Sequence, residues 1–479
     1  MNLPQDALTA PDSFAALGLS AVSLRVVGEL GYEQATAIQV QAIPVLLQGQ
    51  DLVGQSATGS GKTAAFGLAM LERLDLQENT VQGLVLCPTR ELAAQVGTAL
   101  RTLGRHRPGL RVLVVAGGQP SRPQRQALQA GVHVVVGTPG RVLDLLDHEL
   151  DFAALRVVVL DEADRMLDMG FLPSAEKILT ALPEQRQTVL FSATMPAAIS
   201  AVTRKWQRTP VRVKVIDSAE SKPQIRQWLH AIASDERASA LDAVLGGPEL
   251  RDAKSVLIFC NFKESVRNVA SWLGAAGHAV EALHGDLEQR DRDRVLVKFR
   301  NGSTRILVAT DVAARGLDIA GIDAVINYEL PPSAEVYVHR IGRTGRAGAE
   351  GLAISLATEG DGERLRLAEM AMAQRVAKKP LPLAKAAPRP SEKRKELAAD
   401  QAQAMLTLLV RGGRKDKIRA GDILGALSGE GGVAAGDIGR IEIGDDQAYV
   451  AVAPEAGRRL VAQGRMRIKG RTIRIELLK

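Results

Sequence analysis

Eight residues, Ser56-Ala57-Thr58-Gly59-Ser60-Gly61-Lys62-Thr63, constrain the fold of this chain more than any other stretch. Gly59 and Gly61 allow the backbone to approach an anion and turn its amides toward it. Lys62 adds a cation of the right reach for β- and γ-phosphates, and Thr63 adds a hydroxyl that can ligate magnesium. Such a loop works at a helix N-terminus, where partial positive charge collects. The stretch follows an apolar turn, Leu52-Val53-Gly54, and a helix is expected directly after it. The first glycine of the strict phosphate-loop pattern is absent, since Ser56 stands there. A glycine-rich turn without a ligand is the alternative, and the complete Gly-Lys-Thr ending argues against it.

A phosphate loop needs a parallel sheet, and the flanking sequence has one. From Leu52 to about Val213, short β-rich runs alternate with amphipathic stretches: Gly83 to Cys87, Arg111 to Ala116, Val132 to Gly137, Val157 to Leu160 and Thr188 to Phe191. Each run ends in a polar, glycine-rich or proline-bearing loop. Ligands of open α/β sheets bind outside the carboxyl ends of the strands, so these loops are where chemistry is expected. From about Pro223 to Arg375 the plan repeats. Val256 to Cys260 answers Leu84 to Cys87, His284-Gly285-Asp286 answers Gly117-Gly118, and Arg305 to Thr310 answers Val132 to Thr138, at an offset near 170 residues. A duplicated domain explains this order.

The chain of 479 residues is too long for one core. The segment from Ala377 to Ala399, rich in Lys, Pro and Ala, reads as a linker. After it, Met405 to Val410, a helix around Asp422 to Leu427, Gly439 to Ile443, Ala448 to Ala453, a helix over Pro454 to Gln463, and Thr472 to Leu478 give a βαββαβ order. That is the plan of a small α+β domain of the RNA-recognition-motif type. The expected boundaries are 1–216, 217–376, 377–403 and 404–479. From Lys378 onward there are 21 Lys and Arg against 12 Asp and Glu, so the net charge of +7 is carried by the C-terminal part. A polyanion partner or a solvated surface accounts for that surplus. No apolar run is long enough for a bilayer, and no leader is visible at Met1 to Ala10, so a cytoplasmic location is expected. Cys87 and Cys260 read as buried thiols rather than as a disulfide or a metal pair.

The second chemical signal is Asp161-Glu162-Ala163-Asp164, directly after the apolar run Val157 to Leu160. A carboxylate at the tip of a buried strand beside a phosphate loop can hold magnesium through water, which is the role expected of Asp161. Glu162 is then placed to orient and deprotonate an attacking water.

With Ser192-Ala193-Thr194, these segments make the first 375 residues resemble the DEAD-box RNA helicases. The resemblance implies two tandem RecA-like parallel-sheet domains that use ATP and magnesium and bind RNA. It implies that Phe14, Gly31-Tyr32-Glu33 and Thr36-Ala37-Ile38-Gln39 form the adenine site, with Gln39 on the base edge and Phe14 stacked nearby; Ala35 replaces the usual proline. The remaining ATP contacts are then Ser56, Ala57, Thr58, Gly59, Ser60, Gly61, Lys62, Thr63 and the ribose contact Asp318. Asp164, Ser192, Thr194 and His339 are implied to couple the ATP site to the RNA site. RNA contacts are implied for Pro88, Thr89, Arg90, Gly118, Thr138, Pro139, Gly140 and Arg141, and in the second domain for Gly285 and Thr310. Loops of this kind offer amides, hydroxyls and Arg to phosphates and carry no aromatic base readers. His339-Arg340-Ile341-Gly342-Arg343-Thr344-Gly345-Arg346 is similar to the motif that supplies arginine fingers, here Arg343 and Arg346. The catalytic set is thus Lys62, Asp161, Glu162, Arg343 and Arg346.

Residues Ala404 to Lys479 resemble the C-terminal domain of the DbpA subgroup, whose members bind a hairpin of 23S ribosomal RNA. The candidate contacts are Arg414, Lys415, Lys417, Arg419, Lys469 and Arg471. Tyr449 has two readings, an RNA contact or a core side chain. The leading expectation is a monomeric ATP-dependent RNA helicase, not associated with a membrane, that acts on 23S rRNA in large-subunit precursors. A general RNA helicase with a tethering tail, and an ATP-gated RNA clamp that does not unwind, are the alternatives.

Overall fold

The computed structural model describes residues 13–56, 59–118, 121–146, 149–215, 225–314, 321–345, 350–372, 375–381 and 404–478. The chain divides into two compact units, the first comprising Met1–Lys222 with Gly316–Asp318 and the second Pro223–Arg315 with Ile319–Lys479.

The first unit is built on seven strands: β1 (Leu52–Gln55), β2 (Gly83–Leu86), β3 (Val112–Val115), β4 (Val134–Gly137), β5 (Val157–Leu160), β6 (Gln187–Ser192) and β7 (Val211–Lys214). They lie in the order β3-β4-β2-β5-β6-β1-β7, every pairing parallel. Alternation of side chains sends Val134 and Val136 into one core and Val135 into another, on opposite faces of the sheet. Both faces are covered, which suits the buried, Val- and Leu-rich strands β2, β4 and β5. Leu52-Val53-Gly54 is strand β1 and not a turn, because β6 and β7 pair with it on both sides. Gly54 is required there, since a Cβ would stand 2.3 Å from the Phe191 ring.

The second unit repeats the arrangement with β8 (Ile225–Ala231), β9 (Val256–Cys260), β10 (Val280–Leu283), β11 (Ile306–Thr310), β12 (Ala324–Asn327), β13 (Gly351–Ala357) and β14 (Ala377–Lys378). The order β10-β11-β9-β12-β13-β8-β14 is that of the first sheet with each strand replaced by the one seven places later, again all parallel. The duplication therefore extends to the whole topology. Strand β14 takes the first residues of the stretch expected to be a linker. Lys379 N donates to Leu229 O at 2.9 Å, and its ammonium sits 3.5 Å above the Trp228 ring. Residues 382–403 of that stretch lie outside the described residues.

The same unit ends in a smaller antiparallel sheet of β15 (Leu406–Val410), β16 (Ile438–Ile443), β17 (Ala448–Val452), β18 (Arg465–Ile468) and β19 (Arg471–Leu477), ordered β16-β17-β15-β19-β18. Leu408, Val410 and Val450 pack one face against Ile423, Leu427 and Leu460 of the helices Ala420–Ser428 and Pro454–Gln463. Strand β18 is additional to the expected βαββαβ order. Its hairpin with β19 closes through Lys469-Gly470, both at positive φ (53° and 78°), the two-residue geometry favoured in tight hairpins. The opposite sheet face rests on the helix Gln289–Arg300. Val297 packs with Leu409, Leu478 and Tyr449, Arg300 pairs with Glu442 at 3.0 Å, and Ser303 bonds Thr407 at 2.5 Å. Tyr449 thus packs outside the main core of its domain.

Candidate functional site

Gly59 and Gly61 both adopt left-handed conformations (φ 85° and 94°), and Gly61 is the N-cap of the helix Lys62–Glu72. The expected helix is present, and Thr63 lies in its first turn. Lys62 is buried and donates from Nζ to Ser56 O at 3.0 Å, so its charge is held across the loop. Ser56, standing where the strict pattern has glycine, places its hydroxyl 2.9 Å from that of Ser60. Ala57 and Thr58 lie outside the described residues.

The segment expected to form the adenine site is fastened to this loop. Gln39 accepts at Oε1 from Thr36 N (2.8 Å) and donates from Nε2 to Gly61 O (3.2 Å), while Thr36 Oγ1 donates to Ser60 O (2.7 Å). Gly61 must lack a side chain here, because a Cβ would meet Gln39 Nε2 at 2.5 Å. Phe14 is buried and stacks with Tyr32 at a centroid distance of 6.3 Å.

Strand order places β5, β6 and β1 side by side, which brings Asp161-Glu162, Ser192 to Thr194 and the phosphate loop to one half of the sheet edge. Asp161 is buried, and among the described residues its Oδ1 has no hydrogen-bond partner. Burial raises its carboxyl to about 6, Lys62 opposes that rise and Glu162 adds to it. Glu162 has positive φ (54°) and pairs with Arg165 at 2.8 Å. Arg165 escaped sequence reading, although its place three residues after Glu162 on a helix is the spacing of such a pair. Asp164 Oδ2 accepts from Ala193 N (3.1 Å), Thr194 N (2.8 Å) and Thr194 Oγ1 (3.0 Å), and Asp164 N donates to Ser192 Oγ at 3.2 Å. One carboxylate therefore ties the end of β5 to the end of β6. Cys87 and Cys260 are buried and unpaired, and burial pushes both thiols up.

The other half of the edge, β3-β4-β2, carries the loops expected to touch RNA. Pro88 and Thr89 follow β2, with Thr89 Oγ1 capping Leu92 N of the helix Arg90–Leu103 at 3.2 Å. Arg90 lies against Gly117 and Gly118, where a Cβ on Gly118 would meet its guanidinium at 2.0 Å. Thr138, Pro139, Gly140 and Arg141 follow β4. Arg141 bonds Gln124 at 3.1 Å, and its Nη2 is buried with no hydrogen-bond partner among the described residues.

In the second parallel sheet, β10, β11 and β9 end in His284-Gly285-Asp286, Thr310-Asp311 and Asn261-Phe262-Lys263. Gly285 is exposed, and Asp286 binds Lys263 and Arg267, which hold its carboxyl below the usual range. Arg340, to which no role was assigned from sequence, is the largest fully buried side chain among the described residues and connects Asp311 with Asn261. His339 lies on the last turn of the helix Ala334–Ile341, and Arg343 follows it, buried. Asp318 and Arg346 lie outside the described residues.

The candidate contacts of the small domain are all exposed, and most have an acidic neighbour: Arg414 with Asp445 (3.8 Å), Lys415 with Asp446 (2.9 Å), Lys469 with Asp422 (3.7 Å) and Arg471 with Asp416 (3.9 Å). Exposed pairs of this kind are weak and yield readily to a phosphate.

Residues 36–202 match the DEAD/DEAH box helicase model, 236–348 the helicase conserved C-terminal domain, and 407–477 the DbpA RNA binding domain. The ATP-dependent RNA helicase DbpA of Escherichia coli is 44% identical over 466 residues, which is 96% of this chain and 98% of that one. The chain belongs to the DEAD-box RNA helicases. The DEAD-box ATP-dependent RNA helicase CshA of Bacillus cereus is also 44% identical to this helicase, over 74% of the present chain and 67% of the relative. A solved structure of Dbp5 from S. cerevisiae bound to RNA and ADP BeF3 superposes on it with a TM-score of 0.69 at 29% identity, covering 82% of this chain and 99% of that one. The helicase is thus an ATP-dependent enzyme with an RNA-binding domain of the DbpA type. Among its described residues no helix is long and apolar enough to cross a membrane.

Proposed function

We propose that this RNA helicase remodels structure in 23S ribosomal RNA during assembly of the large ribosomal subunit, and that its C-terminal domain addresses it there. The observation that carries the reading is the extent of the DbpA likeness. It runs through 96% of the chain and includes the small domain, whereas the CshA likeness spans 74%. The proposed protein is a cytoplasmic monomer.

In this reading Lys62 binds the β- and γ-phosphates, Glu162 positions and deprotonates the attacking water, and Arg343 and Arg346 supply finger charges. Thr63 and, through water, Asp161 would hold magnesium, which shields the phosphate charge. The unpartnered Asp161 Oδ1 suits that group. Asp164 ties the Glu162 helix to Ser192 and Thr194, so a shift at the phosphates moves both. RNA and ATP then favour one state, which is thermodynamic coupling.

The test is ATP hydrolysis titrated with fragments of large-subunit rRNA and with bulk RNA of equal length. Selective stimulation by one rRNA region is expected. Equal stimulation would replace the reading with a general helicase carrying a tethering tail, and hydrolysis without strand displacement would leave an RNA clamp.

A further inference from the structure

The helix Lys263–Ala275 begins in an unusual way. Its N-cap is Phe262, which offers no oxygen to the first-turn amides, and Ser, Thr, Asp or Asn are the residues that do. The duplicated topology makes the comparison direct, because β9 answers β2. The residue in the same place in the first unit is Thr89, two beyond Cys87 as Phe262 is two beyond Cys260, and Thr89 does cap its helix. Phe262 gains little burial in exchange. It is 68% exposed, the highest value among the exposed large apolar side chains. A position that forgoes a cap and leaves an aromatic ring in water breaks two local rules at once, which points to a role outside folding.

Its surroundings indicate the partner. Asn261, on one side, is fixed by donation from Arg340 to its Oδ1 (2.7 Å), and Arg340 also holds Asp311, next to Thr310. Lys263, on the other side, donates to Asp286 at 3.2 Å, next to Gly285. Cys260 and Thr310 are register partners in adjacent parallel strands, so Phe262 stands at the same sheet edge as both loops. Val312, 56% exposed, adds a second apolar side chain there. The two loops read above as RNA contacts flank the ring, and an unpaired nucleobase is the apolar, flat face that would accompany a phosphate held there.

We infer that Phe262 is a base-stacking platform, an aromatic contact for one unpaired nucleobase of the RNA strand held by the loops at Gly285 and Thr310. The inference rests on the RNA-binding reading of those loops. It adds an aromatic contact to a helicase core otherwise expected to grip only the backbone. Base–aromatic stacking of this kind tolerates any sequence, because every base has a π-face.

The test uses the full chain with a non-hydrolysable ATP analogue and a fluorescein-labelled uridine decamer, followed by anisotropy. Phe262→Thr restores the cap seen at Thr89 and removes the ring, so it should fold at least as well as the parent. Its affinity for the decamer should fall about 5- to 150-fold, the range for loss of one stacked base. A decamer of abasic ribose phosphates should bind parent and variant equally. Phe262→Trp should retain affinity and show fluorescence quenching by the uridine decamer beyond that of the parent protein. Equal affinities of parent and Phe262→Thr for the uridine decamer would overturn the stacking role while leaving the RNA-binding reading intact. Failure of the parent to bind either decamer would instead remove the reading beneath it.

Discussion

Arg340 and Asp311 form a two-point ion pair inside the second parallel-sheet domain, Nε to Oδ1 and Nη2 to Oδ2, both at 2.7 Å. The remaining guanidinium donors reach Asn327 Oδ1 (3.3 Å), Glu329 O (2.6 Å) and Asn261 Oδ1 (2.7 Å), so all five N–H groups are used. The side chain is 1% exposed. One residue therefore sets the geometry at the ends of β9, β11 and β12, on the helix that leads into Arg343. Removing it strands a carboxylate: Arg340→Ala should cost about 3–5 kcal/mol in denaturant unfolding of this domain. Arg340→Lys keeps the charge but loses the planar fork, and should recover less than half of that loss.

Asp161 yields a prediction with a defined sign. Its carboxyl is raised to about 6 from the ordinary 3.8, so the folded chain favours the neutral acid. That contribution to stability is complete below about pH 4 and is lost as pH rises through about 6. Asp161→Asn should therefore raise the thermal midpoint of the nucleotide-free protein at pH 8 and leave it unchanged at pH 4, while ATP hydrolysis disappears. Equal midpoints at pH 8 would show that burial does not penalise this charge.

Glu162 and Arg165 are joined at 2.8 Å, both nearly shielded from solvent. Glu162→Gln should lower RNA-stimulated ATP turnover by roughly 10²- to 10⁴-fold, the usual share of a general base, with little change in nucleotide affinity. Steady-state kinetics with a separate nucleotide-binding titration distinguish this from a folding defect, which would lower both.

Val297 joins Leu409, Leu478 and Tyr449 across the contact between the second parallel sheet and the small domain. Val297→Asp would place an unpaired charge in that apolar contact. The small domain should detach, seen as an increased radius of gyration in small-angle scattering. Unaltered scattering would mean that Arg300–Glu442 and Ser303–Thr407 suffice to hold it.

Neutralising Arg414, Lys415 and Lys417 together should weaken RNA binding and flatten its salt dependence. Each phosphate contact to a single strand contributes about 0.7 to the slope of log affinity against log salt. A slope reduced by about 2 is expected if all three side chains meet phosphate, and an unchanged slope would exclude the cluster.

Much of the candidate site is legible in the sequence. The glycine-rich loop and Asp161 to Asp164 announce themselves because phosphate chemistry demands glycine, lysine and carboxylate at fixed short spacings, and those spacings survive in one dimension; Ser192 to Thr194 stands out only by its resemblance to the family. Strand β1 reads as a turn in sequence because the three residues Leu52-Val53-Gly54 carry no periodicity of their own, and pairing with β6 and β7 settles the matter. Strand β18 was missed because Arg465-Met466-Arg467-Ile468 is too short to separate from its neighbour without the turn at Lys469-Gly470. Arg340 and Arg165 were passed over because a buried arginine and an exposed one look alike in sequence.

The sequence by itself determined which chemistry the chain can perform and that its plan is doubled. Tertiary structure decided how that chemistry is grouped. The order β3-β4-β2-β5-β6-β1-β7 gathers segments scattered along the first domain into two halves of one sheet edge, with the glycine-rich loop, Asp161 to Asp164 and Ser192 to Thr194 on one half and the loops after β2, β3 and β4 on the other, and Asp164 tied to Ser192 and Thr194. It also decided that the small domain turns Leu409 and Tyr449 toward a helix of its own chain. Adjacency in a parallel sheet arises from crossover connections and burial of both faces, terms that depend on the whole domain and leave no mark on any single stretch of residues.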